Sequence, residues 1–276
     1  MRWLLAICAV VITVIAMTGC GGGGVSSPPV VSVVGSFLGD GFMSAYTEPV
    51  ANLGIVVRDD RSVEGAAFFS APLENFDVFF SGTVDASSRL NATGRIIGNG
   101  GTTEVGAFTI TGVFANYPDG SNIAGTFTAE GVGAGSGTWR AFIYTTPPLG
   151  AYMGAYAGDA QGQVAIMNFL VDDSVMMLKE QGQPRADYFA SDLGSLTLTP
   201  PTVPGGPYGL VASNGLYGTG FSFAGDVGQL EASGAWQQIQ EATTLTGTWL
   251  ATKPAARAAA NRAIRLGPLR VHRVRK

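Results

Sequence analysis

From Val30 onward the chain is a succession of short apolar or alternating segments broken by glycine and turn residues. Leu53 to Val57, Val78 to Val84, Ala107 to Phe114, Val164 to Val171 and Leu196 to Thr199 are examples. In Phe108-Thr109-Ile110-Thr111 apolar and hydroxyl side chains alternate, the period-2 pattern of a half-buried strand. Asn99-Gly100, Asp119-Gly120 and Asn214-Gly215 are favourable hairpin turns, because Asn, Asp and Gly tolerate positive φ. No window between Val30 and Thr248 keeps a convincing helical period. The predicted fold is all-β and antiparallel.

The segments fall into two sets. Gly35 to Asp40 (GSFLGD) matches Gly154 to Asp159 (GAYAGD), and each is followed by a β-rich stretch closing on paired aspartates, Asp59-Asp60 and Asp172-Asp173. Asp85 with Leu90 to Gly94 parallels Asp226 with Leu230 to Gly234, and each half closes on Gly-Thr-Trp, at Trp139 and at Trp249. This predicts two related antiparallel meanders, residues 31–147 and 148–252, meeting near Pro147-Pro148. Glycine-rich antiparallel sheets bend readily, and closing into small barrels or sandwiches removes exposed edges. Trp139 and Trp249 are expected to plug barrel ends. The Gly-aromatic-Gly opening and Gly-Thr-Trp ending resemble, in pattern, the small barrels of some bacterial surface lipoproteins, including transferrin-binding types; the resemblance implies no ligand.

The N-terminus follows another logic. Arg2 precedes a 15-residue run from Trp3 to Met17, then Thr18-Gly19-Cys20 and four glycines. A positive start, a short apolar core and small residues before the cut describe a secretory signal peptide. The run is shorter than the roughly 20 residues that span a bilayer. With Cys20 directly after the small residues, the segment resembles the lipobox of bacterial lipoproteins, Met17 standing where leucine is usual. The resemblance implies cleavage of residues 1–19 as a signal helix and acylation of Cys20, with residues 20–30 as a flexible Gly/Ser/Pro linker. Several acyl chains hold a protein firmly to a membrane, each buried methylene contributing about 0.8 kcal/mol. Gly21 after the cysteine, where an inner-membrane lipoprotein tends to carry aspartate, implies the outer membrane.

Composition agrees with this picture. Forty glycines and 13% charged residues suit β structure better than helix. With Cys8 in the signal and Cys20 acylated, the folded part holds no thiol, which excludes disulfides and thiol catalysis. All 20 acidic residues lie between Asp40 and Glu241, while eight of the 16 basic residues lie at Lys253 or later. With Arg2 in the signal, seven basic residues face those 20 acids, so the body up to Thr252 carries 7 − 20 = −13 and has no reason to seek nucleic acid. Residues 253–276 form a basic tail, read first as a disordered terminus and alternatively as a binder of anionic headgroups, of lipopolysaccharide phosphates or of the body itself.

Chemistry-bearing motifs are weak. The paired aspartates sit in no calcium-loop pattern, and solvated turns explain them. Ser222 in Gly220-Phe-Ser-Phe-Ala224 narrowly misses a nucleophile elbow, but the lone histidine is His272 in the tail. Gly131 to Gly137 lacks the GK[ST] ending of a phosphate loop. Asn91-Ala92-Thr93 fits a glycosylation sequon by chance. Trp139, Trp236 and Trp249 invite a ligand-platform reading, with core packing the more common use of such rings. No catalytic residue, metal ligand or cofactor site is predicted, and Cys20 is the one functional residue named. The expected function is non-enzymatic binding or scaffolding by an acyl-anchored envelope lipoprotein, with an envelope protein, a glycan or a small apolar ligand as partner. The alternatives are a calycin-like carrier with a hollow barrel and an envelope hydrolase using converging carboxylates.

Overall fold

The computed structural model describes residues 31–43, 46, 48–70, 75–98, 103–131, 135–183, 186–213, 220–240 and 243–255. The signal segment, Cys20, the linker, Asn99-Gly100, Asn214-Gly215 and the tail after Ala255 lie outside the described residues. Within them every regular element is a strand.

The first eight strands are β1 (Gly35–Met43), β2 (Ala51–Val57), β3 (Ser62–Ser70), β4 (Asn75–Val84), β5 (Arg89–Gly98), β6 (Thr103–Phe114), β7 (Ile123–Ala129) and β8 (Gly135–Ile143). Each pairs with the next, and β1 returns to pair with β8, so the sheet is a closed antiparallel barrel. After the connection through Pro147-Pro148 come β9 (Gly150–Gly158), β10 (Gly162–Leu170), β11 (Asp173–Glu180), β12 (Ala186–Ala190) and β13 (Leu196–Thr199). They are followed by β14 (Tyr208–Ser213), β15 (Phe221–Val227), β16 (Glu231–Gln240) and β17 (Thr243–Thr252). These nine form a second, barrel-like sheet in the order β12-β11-β10-β9-β17-β16-β15-β14-β13. Its edge strands, β12 and β13, are joined by Ser191–Ser195, where Ser195 N–H donates to Ala190 O (3.2 Å) and Ala190 N–H to Ser195 Oγ (2.9 Å).

Both interiors are filled by rings. In the first, Phe69 stacks on Phe76 at 4.5 Å between centroids and meets Phe127 and Phe108 edge-on at 5.3 and 5.9 Å. In the second, Tyr156 stands edge-on to Trp236 (5.5 Å), Phe221 (6.3 Å) and Phe223 (6.3 Å).

The glycines make room for these rings. Trp139 on β8 pairs with Gly125 on β7, which pairs with Gly112 on β6; the indole lies across both and donates from Nε1 to Thr111 O (2.9 Å). A Cβ at Gly112 would stand 2.7 Å from Trp139 Cζ2. Trp249 repeats the arrangement with Gly234, Gly225 and Ala224 O (3.3 Å). Trp236 does so with Gly247, Gly158 and Ala157 O (3.0 Å). The tryptophans expected at barrel ends thus sit within the sheets, packed over glycine pairs. The two Gly-Thr-Trp segments do occupy matching final strands. The Asp85–Gly94 and Asp226–Gly234 landmarks do not correspond in position: one ends on the fifth strand of its sheet, the other on the next-to-last.

The two sheets, parts of one compact unit, pack outer face to outer face. Leu38, Val56, Ala66 and Phe79 from the first meet Met153, Ala165, Met167 and Met177 from the second in a buried apolar layer. The sheets approach closely at Gly54, where a Cβ would stand 2.6 Å from Met167 Cγ and 3.1 Å from Ala151 Cβ. Ser36 Oγ donates to Ala151 O (2.9 Å) and accepts from Ala151 N–H (2.6 Å). Arg58, paired with Glu64, donates from Nη1 to Thr252 Oγ1 (3.0 Å) and from Nη2 to Met153 O (3.3 Å).

Candidate functional site

An open groove of about 490 Å³ lies on the outside of the first barrel where β1, β7, β8 and the β6–β7 turn meet, lined by Phe42, Tyr117, Asp119, Ala124, Thr138 and Arg140 among others. Strand alternation explains the outward side chains: Phe37 points into the barrel, so Phe42 on β1 points out, beside Thr138, its partner on β8. Tyr117-Pro118-Asp119-Gly120 forms the turn, with Gly120 at φ 87° and its N–H bonded to Tyr117 O (2.9 Å). Asp119 Oδ1 accepts from Ser121 N–H (3.0 Å) and Ser121 Oγ–H (2.7 Å), while Oδ2 accepts from Arg140 Nη1 (3.0 Å). Burial works to raise the Asp119 carboxyl, but the Ser121 hydrogen bonds and the Arg140 guanidinium outweigh it and hold the group below the ordinary carboxylate range. The guanidinium stands over Phe42 at 5.4 Å and Phe142 at 6.0 Å, two cation–π contacts that help hold it at the groove wall.

Two further polar groups lie away from this groove. Asp77 on β4 is buried where the first barrel meets β12, next to its strand partner Phe68, whose ring lies 4.7 Å from that of Tyr188. Its Oδ1 has no hydrogen-bond partner, and burial, with Asp187 adding its charge, pushes the carboxyl up to about 7. Lys253 follows β17, buried, with Nζ donating to Leu149 O and lying 4.5 Å from the centre of the Tyr152 ring. Burial pulls its amine down to about 8.

The sequence candidates are dispersed. Asp59-Asp60 forms the exposed β2–β3 turn, where Asp60 Oδ1 accepts from Ser62 N–H (2.9 Å) and Oγ–H (2.6 Å). Asp172-Asp173 lies at the β10–β11 turn, and burial, reinforced by Asp192 and Asp172, raises Asp173 to about 6. Ser222 sits inside β15 opposite Ser213 and Gln237, on a strand and not on an elbow. Gly131, at φ 101°, belongs to the connection leading to β8, and Asn91 is exposed on β5. Among the described residues no three His, Cys, Asp or Glu side chains are grouped to hold a metal ion. The groove itself was missed. Asp119-Gly120 signalled only a turn, and nothing in the linear pattern places Arg140 and Phe42 against it.

No known protein family matches the chain, and no curated protein does. Among solved structures, the crystal structure of kievitone hydratase from Nectria haematococca aligns over 82% of this chain and 90% of its own, at 11% identity and a TM-score of 0.23. A likeness of that degree carries no functional argument.

Proposed function

We propose that this chain is an envelope lipoprotein, held by acyl groups on Cys20, whose folded part binds or scaffolds through its outer surface without chemistry of its own. The observation that supports the surface role is the filling of both interiors by rings, the Phe69 cluster in one sheet and the Tyr156 cluster in the other. A hollow carrier needs interior space for an apolar ligand, and these rings occupy it. A carboxylate hydrolase needs two acids converging in a cleft. Asp77, grouped with Asp187, is buried between the sheets, Asp173 is grouped with Asp172 and Asp192 at the β10–β11 turn, and none of the five lines the groove.

Cys20→Ser tests the anchor. The wild-type chain is expected in the membrane fraction, carrying labelled palmitate, and the variant unprocessed or soluble and unlabelled. A variant still matured and membrane-bound overturns the reading.

A further inference from the structure

We propose that the groove at Phe42, Tyr117 and Arg140, together with the hydroxyl rows that run into it, binds an uncharged polysaccharide. This deepens the binding role proposed above and rests on it. The rows follow from strand register. Ser81, Thr93, Thr109, Thr128 and Ser136 are successive partners across β4, β5, β6, β7 and β8. One step along, Thr83, Asn91, Thr111, Thr126 and Thr138 form a second such row, and Thr138 pairs onward with Phe42. Nine of these ten side chains are exposed and Thr111 is half-buried, its Oγ1 lying 3.1 Å from that of Thr126. The second row therefore leads across the barrel into the groove.

The chemistry selects the occupant. Neighbouring strands lie about 4.8 Å apart, close to the length of one sugar unit in an extended chain, so each unit can meet a fresh hydroxyl or amide. Tyr117, and the side of the Phe42 ring away from Arg140, bring aromatic surface to the groove for the C–H face of a sugar. The carboxylate and guanidinium of Asp119 and Arg140, each about two-fifths exposed, offer an acceptor and donors to its hydroxyls. Charge excludes other polymers. The ten row positions carry none, and of the arginines that flank them, Arg89, Arg95 and Arg140, the last two are already paired with Glu104 (3.4 Å) and Asp119 (3.0 Å), in a body of 20 acids and seven bases that repels a polyanion at longer range. A polycation meets at the groove a carboxylate already paired with Arg140 at 3.0 Å. A protein partner calls for an apolar, charge-depleted centre in which serine is scarce, and the rows are hydroxyl throughout but for Asn91.

The test is native affinity electrophoresis of the full chain in mild detergent, through gels containing dextran, galactomannan or laminarin, with polygalacturonate as the acidic comparison. Retardation by at least one neutral polymer is expected. Tyr117→Ala and Thr126→Lys should each weaken it about tenfold, the scale of a lost hot-spot contact, while Thr248→Lys, on the exposed face of β17, leaves it unchanged. Thermal midpoints of the variants are measured alongside, to separate lost binding from lost folding. Absence of retardation by all three neutral polymers overturns the proposal. So does stronger retardation by polygalacturonate, or loss of binding in Thr248→Lys equal to that in Thr126→Lys. Detergent-phase partitioning of the same samples reads the Cys20 anchor separately. A chain that partitions as a lipoprotein yet ignores the glycans sinks the polysaccharide proposal alone.

Discussion

At the scale of single residues, the glycines and tryptophans are complementary parts of one packing unit. Gly112 is the sharpest case, since the nearest atom to a Cβ there would be Trp139 Cζ2, at 2.7 Å; at Gly247 the carbon would stand 2.4 Å from Trp236 Nε1 and 2.0 Å from Ala157 O. Gly112→Ala is expected to cost about 1–3 kcal/mol, because the ring has nowhere to retreat in a filled interior, and Gly247→Ala, which meets the Ala157 carbonyl as well as the Trp236 ring, at least as much. Gly209→Ala, whose new carbon would be 3.7 Å from Thr199 Cβ, should stay within about 0.5 kcal/mol of wild type. Urea denaturation of the three variants checks this, and equal losses at all three would show that ring clearance is not what the glycines provide. The abundance of glycine was legible as a β signal. Which ring each glycine accommodates was not, because Trp139 and Gly112 are brought together by strand pairing rather than by local sequence.

At the scale of strands, the kind of apolar pattern distinguishes one-sided from two-sided burial. Phe108 to Thr111 on β6 alternates because its outer face meets solvent, and Leu53 to Val57 on β2 is continuous because it faces the second sheet as well as its own core. The continuous runs of β2, β10 and β11 thus marked the contact between the sheets, although nothing in them named their counterpart. Asp77 breaks such a run, and its position has a consequence for pH. The folded chain favours the protonated carboxyl, so the associated stability is complete below the ordinary value of 3.8 and is lost as pH rises through about 7. Asp173, raised to about 6, adds to the same slope. Asp77→Asn should therefore be more stable than wild type at pH 8, by an amount on the order of 3 kcal/mol, and the advantage should vanish toward pH 4. Chemical denaturation at both values measures it; an advantage independent of pH would remove the carboxyl's charge as the cause.

At the scale of the molecule, the shared apolar layer should make the two sheets unfold as one. Leu38, Val56 and Ala66 are buried against Met167 and Met177, so separating the sheets exposes much of what stabilises each. Calorimetry is expected to give a single transition, with calorimetric and van't Hoff enthalpies in agreement. Leu38→Asp, which places an unpaired charge in the layer, should split it into two. Two separate transitions in the wild-type chain would mean that the layer does not couple its halves. The all-β class and the presence of two sheets were legible from the segment pattern. Their face-to-face contact was not, since it depends on side chains of the outer faces that the two meanders, taken separately, leave without partners.

The junction of β12 and β13 bears on parity. Around an antiparallel ring directions alternate, so an odd number of strands cannot close it without one mismatched neighbour. The second sheet has nine. Traced through its pairings, however, β12 and β13 point the same way, and Ser191–Ser195 carries the chain from one to the other. Counted as one broken strand, they occupy a single place, with β11 on one side and β14 on the other. The ring then has an even count, eight, equal to that of the first barrel, and the span 186–199 does with 14 residues and a break what β4 does in 10 without one.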